Sequence, residues 1–174
     1  GSEMCIRDRR LGADGVVFGC LTADGEVDLT SMQILMEASK GLSVTFHRAF
    51  DVCRNPQKAL EEIIELGCNR ILTSGQQPTA EQGIGLLKEL QGLAAGRITL
   101  LADCGVNENN IARIAAETGI NEFHFSARES IQSEMKFRNE VVSMGGTVHI
   151  NEYERNVTSV RRVKETVEAL YKGM

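Results

Sequence analysis

His47, Arg48 and Asp51 fall together in the stretch S-V-T-F-H-R-A-F-D-V-C-R, residues 43–54. An arginine fork clamps a carboxylate or phosphate, an imidazole exchanges protons near neutral pH, and a carboxylate orients either one. The same three types also serve as structural ion-pair partners, so the cluster alone leaves both roles open. Its position sharpens the question. Val44, Thr45 and Phe46 read as a buried strand, and Asn55-Pro56 reads as a helix cap followed by proline at the first helical position. The charged groups therefore sit where a strand ends and a helix is about to begin. In parallel α/β proteins ligands bind at that edge.

Four other strand ends carry comparable residues. The first offers Cys20 and Thr22, the third Thr73, Ser74 and Gly75, the fourth Asp103, Cys104 and Gly105, and the fifth His124, Ser126 and Arg128. If the strands converge, Arg48 and Arg128 can clamp an anion, while His47 or His124 acts as acid or base with Asp51 or Asp103 beside it. Gly105-Val106-Asn107 runs into a helix N-terminus, which favours negative charge, although Asp103 opposes it. Cys20, Cys104, His47 and His124 are potential metal ligands, but none forms a close-spaced pair. No lysine ends a strand, which disfavours Schiff-base chemistry, and no G-x-G-x-x-G follows one.

Repeating elements must position these residues. Strands are expected at Gly15–Leu21, from Ser43, at Arg70–Gly75, at Ile98–Ala102 and at Glu122–Ala127. Their starts at 15, 43, 70, 98 and 122 are separated by 28, 27, 28 and 24 residues. A strand–helix unit at that period predicts parallel βαβ units in sequential order. The intervening helices are expected near Thr30–Lys40, Pro56–Leu66, after a Thr79/Gln82 capping box, and after an Asn107 cap. A final helix near Ser159–Tyr171 places Val160, Val163, Val167 and Leu170 on its apolar face and Arg161, Arg162 and Lys164 on a solvated one. Residues 1–10 show no periodicity and are expected to be a non-native or disordered leader, with residues 11–174 as one partial barrel domain. Regular patterning lapses from Arg128 to Glu154, with a flexible turn at Ser143–Gly146. A (β/α)8 barrel needs about 250 residues. Five units therefore fit either a small open sheet or part of a barrel.

Composition narrows the partners. The 174 residues are 42% hydrophobic and 25% charged, with a net charge of −5 and no basic run. That argues against nucleic-acid or acidic-membrane binding. No apolar stretch reaches membrane-spanning length and no signal peptide opens the chain, so a cytoplasmic location is expected. Five cysteines without a C-x-x-C pair read as reduced thiols. Apolar outer strands with open edges lead us to expect self-association.

Six segments, L-G-A-D-G-V-V-F-G (11–19), L-T-A-D-G-E-V-D (21–28), T-F-H-R-A-F-D (45–51), L-T-S-G-Q-Q-P-T-A (72–80), G-V-N-E-N-N-I (105–111) and F-H-F-S-A-R (123–128), resemble the CutC family of copper homeostasis proteins. The resemblance runs from about Leu11 to the end. It implies a TIM-type (β/α)8 barrel, present here as five parallel β/α units plus a C-terminal helix. It also implies a cytoplasmic role in copper binding and handling. His47, Arg48, Asp51, Ser74, Gly75, His124 and Ser126 fall on the family's rim of strand ends. The family's first three strand–helix units, with the cysteines usually linked to copper, precede the matching span. Family members also tend to a glycine-rich turn where this chain has Ala102-Asp103-Cys104-Gly105. The rival reading is a barrel enzyme acting on a small anionic metabolite.

Overall fold

In the computed structural model, which describes residues 2–139, 141, 145 and 151–173, the chain runs α1 (Ser2–Arg10), β1 (Gly15–Phe18), α2 (Leu29–Ala38), β2 (Ser43–Phe46), a 3-10 turn (Arg48–Val52), α3 (Pro56–Glu65), β3 (Arg70–Thr73), α4 (Ile84–Ala94), β4 (Thr99–Ala102), α5 (Ile111–Thr118) and β5 (Glu122–Phe123). An antiparallel pair, β6 (Arg128–Gln132) and β7 (Glu154–Thr158), and the final helix α6 (Val160–Gly173) follow. The five parallel strands form one sheet in the order β1-β2-β3-β4-β5. This is a partial (β/α) barrel.

Burial alternates along β2, β3 and β4, as period-2 side chains require. Val44, Phe46, Ile71, Leu100 and Ala102 are buried, and with Met32, Leu60, Ile63, Leu87, Leu90 and Ile114 from the helices they form the core. The opposite, concave face is more open, and Val17 on β1 is 62% exposed there. The stretch Val44–Phe46, expected to be a buried strand, is thus buried on its helix side only. On the concave face Arg70 Nε donates to Glu122 Oε2 at 2.6 Å and its Nη1 to Ser43 Oγ at 3.1 Å, linking β2, β3 and β5.

Local chemistry sets the helix ends. Asn55 Oδ1 accepts from Lys58 N, and Pro56 opens α3 where its missing N–H costs nothing. Asp28 caps α2 through Ser31 N, and Gly119 ends α5 in left-handed backbone at φ 76°. Two expected starts shift. Thr79 and Gln82 bond to each other one turn ahead of α4, whose cap position is Gly83. Asn107 accepts from Asn109 N in a preceding turn, so α5 begins only at Ile111.

Other differences are larger. Ser2–Arg10, expected to lack regular structure, is helical, with Cys5 buried and Arg9 donating to the Lys40 carbonyl. The fifth strand stops at Phe123, because after His124 N donates to Ala102 O the chain turns away to form β6. Helix α6 is rotated from the expected face. Val160 is 84% exposed, whereas Thr166 is fully buried, its hydroxyl satisfied by the Arg162 carbonyl at 2.7 Å. Of the expected 143–146 turn, all but Gly145 lies outside the described residues. Among the described residues no helix is long and apolar enough to cross a membrane.

Candidate functional site

The 3-10 turn after β2 brings Asp51 back against the end of β3. Its carboxylate is 6% exposed and accepts from Thr73 Oγ1 at 2.6 Å, from Arg48 Nε at 2.7 Å, and from the Ser74 and Gln76 amides at 3.1 Å. Burial pushes the Asp51 carboxyl up, but the bonds from Thr73, Arg48, Gln76 and Ser74 outweigh it and hold the group below its usual range. With its lone pairs engaged, Asp51 orients its neighbours instead of touching a ligand. Ser74 has one hydroxyl proton and two acceptors in reach, the Gln77 carbonyl at 2.5 Å and Asp51 Oδ2 at 3.1 Å. The shorter contact takes the proton, so Ser74 Oγ accepts from Arg48 Nη2 at 3.1 Å. Arg48 is thus fixed at two nitrogens while its side chain stays 41% exposed on the rim.

Gly75 belongs to the support of this network. A Cβ there would lie 2.5 Å from the Gly83 carbonyl oxygen, and one on Gly83 would lie 1.9 Å from the Ser74 carbonyl oxygen. The loop after β3 therefore rests backbone to backbone on the start of α4. Gln76, which sequence reasoning missed, adopts φ 56° and donates from Nε2 to the Cys53 carbonyl at 2.8 Å. His47 is also a support. Its Nδ1 accepts from Ala49 N at 3.1 Å, capping the 3-10 turn, and its ring sits where a Cβ on Gly19 would fall 2.9 Å from Nδ1. That bond places the proton of a neutral ring on Nε2.

The β4–β5 side is built differently. His124 Nδ1 lies 3.0 Å from Asp103 Oδ1, with side chains 61% and 16% exposed. Cys104 Sγ is 3.7 Å from Asp103 Oδ2. The Asp51 bond raises Arg48 basicity most, and the Asp103 carboxylate adds to it, so the two sides share one electrostatic neighbourhood. Beside them opens a cavity of about 420 Å³, lined by Asp103–Asn107, His124–Arg128 and Arg162. Cys104 at φ 72° and Ala127 at φ 44° hold left-handed backbone on its wall, which costs such residues about 1–3 kcal/mol.

Arg162 had been expected on a solvated face. It instead braces this wall, with Nε and Nη2 on Glu108 at 3.1 and 3.0 Å and Nη1 on the Arg128 carbonyl. No local pattern signals a pair 54 residues apart.

The thiols divide by burial. Cys53 and Cys68 are pushed up to about 11, chiefly by desolvation. Cys20 and Cys104 are raised as well, first by burial and then by Asp28 and Asp103 respectively. Among the described residues no three His, Cys, Asp or Glu side chains gather closely enough to hold a metal ion. The candidate ligands Cys20, Cys104, His47 and His124 are therefore not brought into one centre.

The model of the CutC family matches residues 4–129. Family protein CutC of Bacteroides thetaiotaomicron is 76% identical over 162 residues, 93% of this chain and 65% of the relative. The namesake in Parabacteroides distasonis is 55% identical over the same shares. The crystal structure of CutC from Streptococcus agalactiae, named for copper homeostasis, is similar with a TM-score of 0.68 at 31% identity, over 71% of this chain and 60% of that one. A native KDPGal structure is similar in fold alone, with a TM-score of 0.58 at 14% identity over 99% of this chain and 66% of that one. The chain spans just under two thirds of the length of these curated relatives.

Proposed function

This chain belongs to the CutC family, and from that premise we propose that it serves copper homeostasis through a rim that binds a small anionic molecule. The observation that carries the reading is the Arg48 guanidinium, pinned by Asp51 and Ser74 yet still partly exposed. A preoriented guanidinium loses little freedom on binding a carboxylate or phosphate. Across the rim Asp103 holds His124 through Nδ1, which leaves Nε2 to take or give a proton. Arg48 as clamp and His124 as acid–base group make this the chemistry of a barrel enzyme acting on a small anion. A reducing compartment such as the cytoplasm fits the free cysteines.

The second reading is direct copper handling. It is favoured by the naming of the S. agalactiae relative and by Cys20 and Cys104, thiols at strand ends that are not fully buried. The described residues do not fit a resident copper centre, so copper here would be cargo.

Calorimetric titration with small carboxylates and phosphates, beside an anaerobic Cu(I) titration, separates the two. Arg48→Ala should weaken anion binding about 10- to 150-fold, the worth of a charge-assisted hydrogen bond, with circular dichroism at the titration temperature confirming that the variant stays folded without the Asp51 contact. Stoichiometric Cu(I) uptake lost in Cys104→Ser and Cys20→Ser, with no anion bound, would favour the second reading instead.

A further inference from the structure

Ser74 sits between two charged neighbours, and the second of them bears on what Arg48 can hold. Arg48 reaches Ser74 from the β2 side, donating from Nη2 to its Oγ. On the β4 side Thr73 pairs with Ala102, and Asp103 N donates to Thr73 O at 3.0 Å, so Asp103 follows directly alongside Ser74. Neighbouring strands run about 5 Å apart, which sets this carboxylate within reach of the guanidinium's field. The Asp51 bond raises Arg48 basicity most, burial works against it, and the Asp51 and Asp103 charges add to it. One guanidinium thus stands between two carboxylates that are both mostly buried, where salt screens them little. It is also committed at one edge. Nε and Nη2 share the side that faces Asp51 and Ser74, which leaves the end formed by Nη1 and Nη2 for a ligand.

Two parallel N–H groups at that end match the two coplanar oxygens of a carboxylate. Charge then decides among anions. Attraction to the site grows in proportion to a ligand's charge, whereas the cost of removing its water grows with the square of that charge. Two carboxylates offsetting one arginine leave little attraction per unit charge, so a second negative charge on the ligand costs more than it gains. We infer that the rim selects a small monocarboxylic acid over dianions such as phosphate esters, and that Asp103 is the residue that sets this selectivity. The selectivity rests on the reading of Arg48 as an anion clamp and narrows its substrate class.

Glycerate, malate and glycerol 3-phosphate are the probes, titrated into this chain at low ionic strength and about pH 8, where a phosphate ester is a dianion. The Ser74 and Gln76 amide resonances are followed by NMR, since both amides donate to Asp51 beside the clamp. Malate keeps the hydroxy acid of glycerate and adds a second carboxylate, while glycerol 3-phosphate keeps its diol and exchanges the anionic group. Glycerate should bind at least about tenfold tighter than either dianion. Asp103→Asn should shrink that ratio to about threefold or less by tightening the dianions, and Asp103→Glu, which restores the charge, should bring it back. An Asp103→Asn variant that alters all three ligands alike would make Asp103 merely structural and overturn the assignment. Dianions bound as tightly as glycerate, and lost in Arg48→Ala, would overturn the selectivity while leaving the clamp intact. Binding that survives Arg48→Ala and is lost in Arg128→Gln would overturn both, as would the lack of a saturable shift with any of the three. Circular dichroism of each variant at the titration temperature separates lost binding from lost fold.

Discussion

The two sides of the rim use the same residue types to opposite ends. On the β2–β3 side a buried carboxylate receives side-chain and backbone donors, and one arginine is locked by it. On the β4–β5 side the imidazole of the Asp103–His124 pair is 61% exposed while its carboxylate is 16% exposed, and each makes one bond to the other rather than entering a network. A satisfied polar network rigidifies its surroundings, whereas an exposed imidazole held by one bond is available to a ligand. Histidine, arginine and aspartate at a strand end thus do not by themselves mark a binding site. Satisfaction does.

The largest test of that contrast is Asp51→Ala. Removing one partner of a buried charged network costs about 3–5 kcal/mol, so urea denaturation should show a loss of that order. Asp103→Ala should cost less than that, because its carboxylate loses one histidine contact at a half-open site instead of four donors in a buried one. Equal losses would erase the distinction between the two sides.

Acid tests the buried side on its own. The Asp51 carboxyl is depressed in the folded state, so its contribution is complete above the ordinary carboxylate pKa of about 4. It is lost as pH falls through the lower folded value. Acid unfolding followed by circular dichroism should therefore shift to higher pH in Asp51→Asn.

Alkali tests the packed side through its thiols. Cys53 and Cys68 are raised to about 11 when folded, so the folded state holds protons the unfolded chain releases. Stability should be unaffected below about pH 8.5 and fall as pH rises toward the folded value, by on the order of 2 kcal/mol per thiol. Cys68→Ala should flatten that decline. A thiol reagent at neutral pH should reach Cys104 and Cys20 well before Cys53 or Cys68.

His124→Gln is the smallest expected effect, within about 0.5 kcal/mol of wild-type stability. A larger loss would mean that the exposed pair supports the fold after all.

Strands β2, β3 and β4 were legible because each carries apolar residues at alternate positions that must meet a helix, as Val44, Phe46, Ile71 and Leu100 do. Asn55-Pro56 and Gly119 announced a helix start and a helix stop through backbone requirements that few residues meet. The β6–β7 pair was not legible. Arg128-Glu-Ser-Ile-Gln132 is nearly all polar, and its partner strand begins 22 residues after it ends. In the site, Arg48, Asp51 and Ser74 were found together as their strand-end positions implied. Their division into supports and exposed groups depends on hydrogen-bond counts that spacing does not encode. Arg162 escaped for a related reason, since a basic residue on an amphipathic helix looks solvated until its carboxylate is located.

The Arg70–Glu122 pair bears on the shape of the sheet. Its partners stand on β3 and β5, two strands apart, which is about 10 Å at ordinary strand spacing. Both are about one-third exposed, so the pair adds little stability. It is instead a chord across an arc. Flattening the sheet would lengthen the chord and break the contact, whereas bending keeps it short. An ion pair that is energetically minor can therefore act as a gauge of curvature, and its rupture in Glu122→Gln would let the arc relax. A bowed edge at β1 meets an incoming straight strand over only a few residues before the two diverge, which leaves less backbone open to edge-to-edge pairing than a flat sheet would.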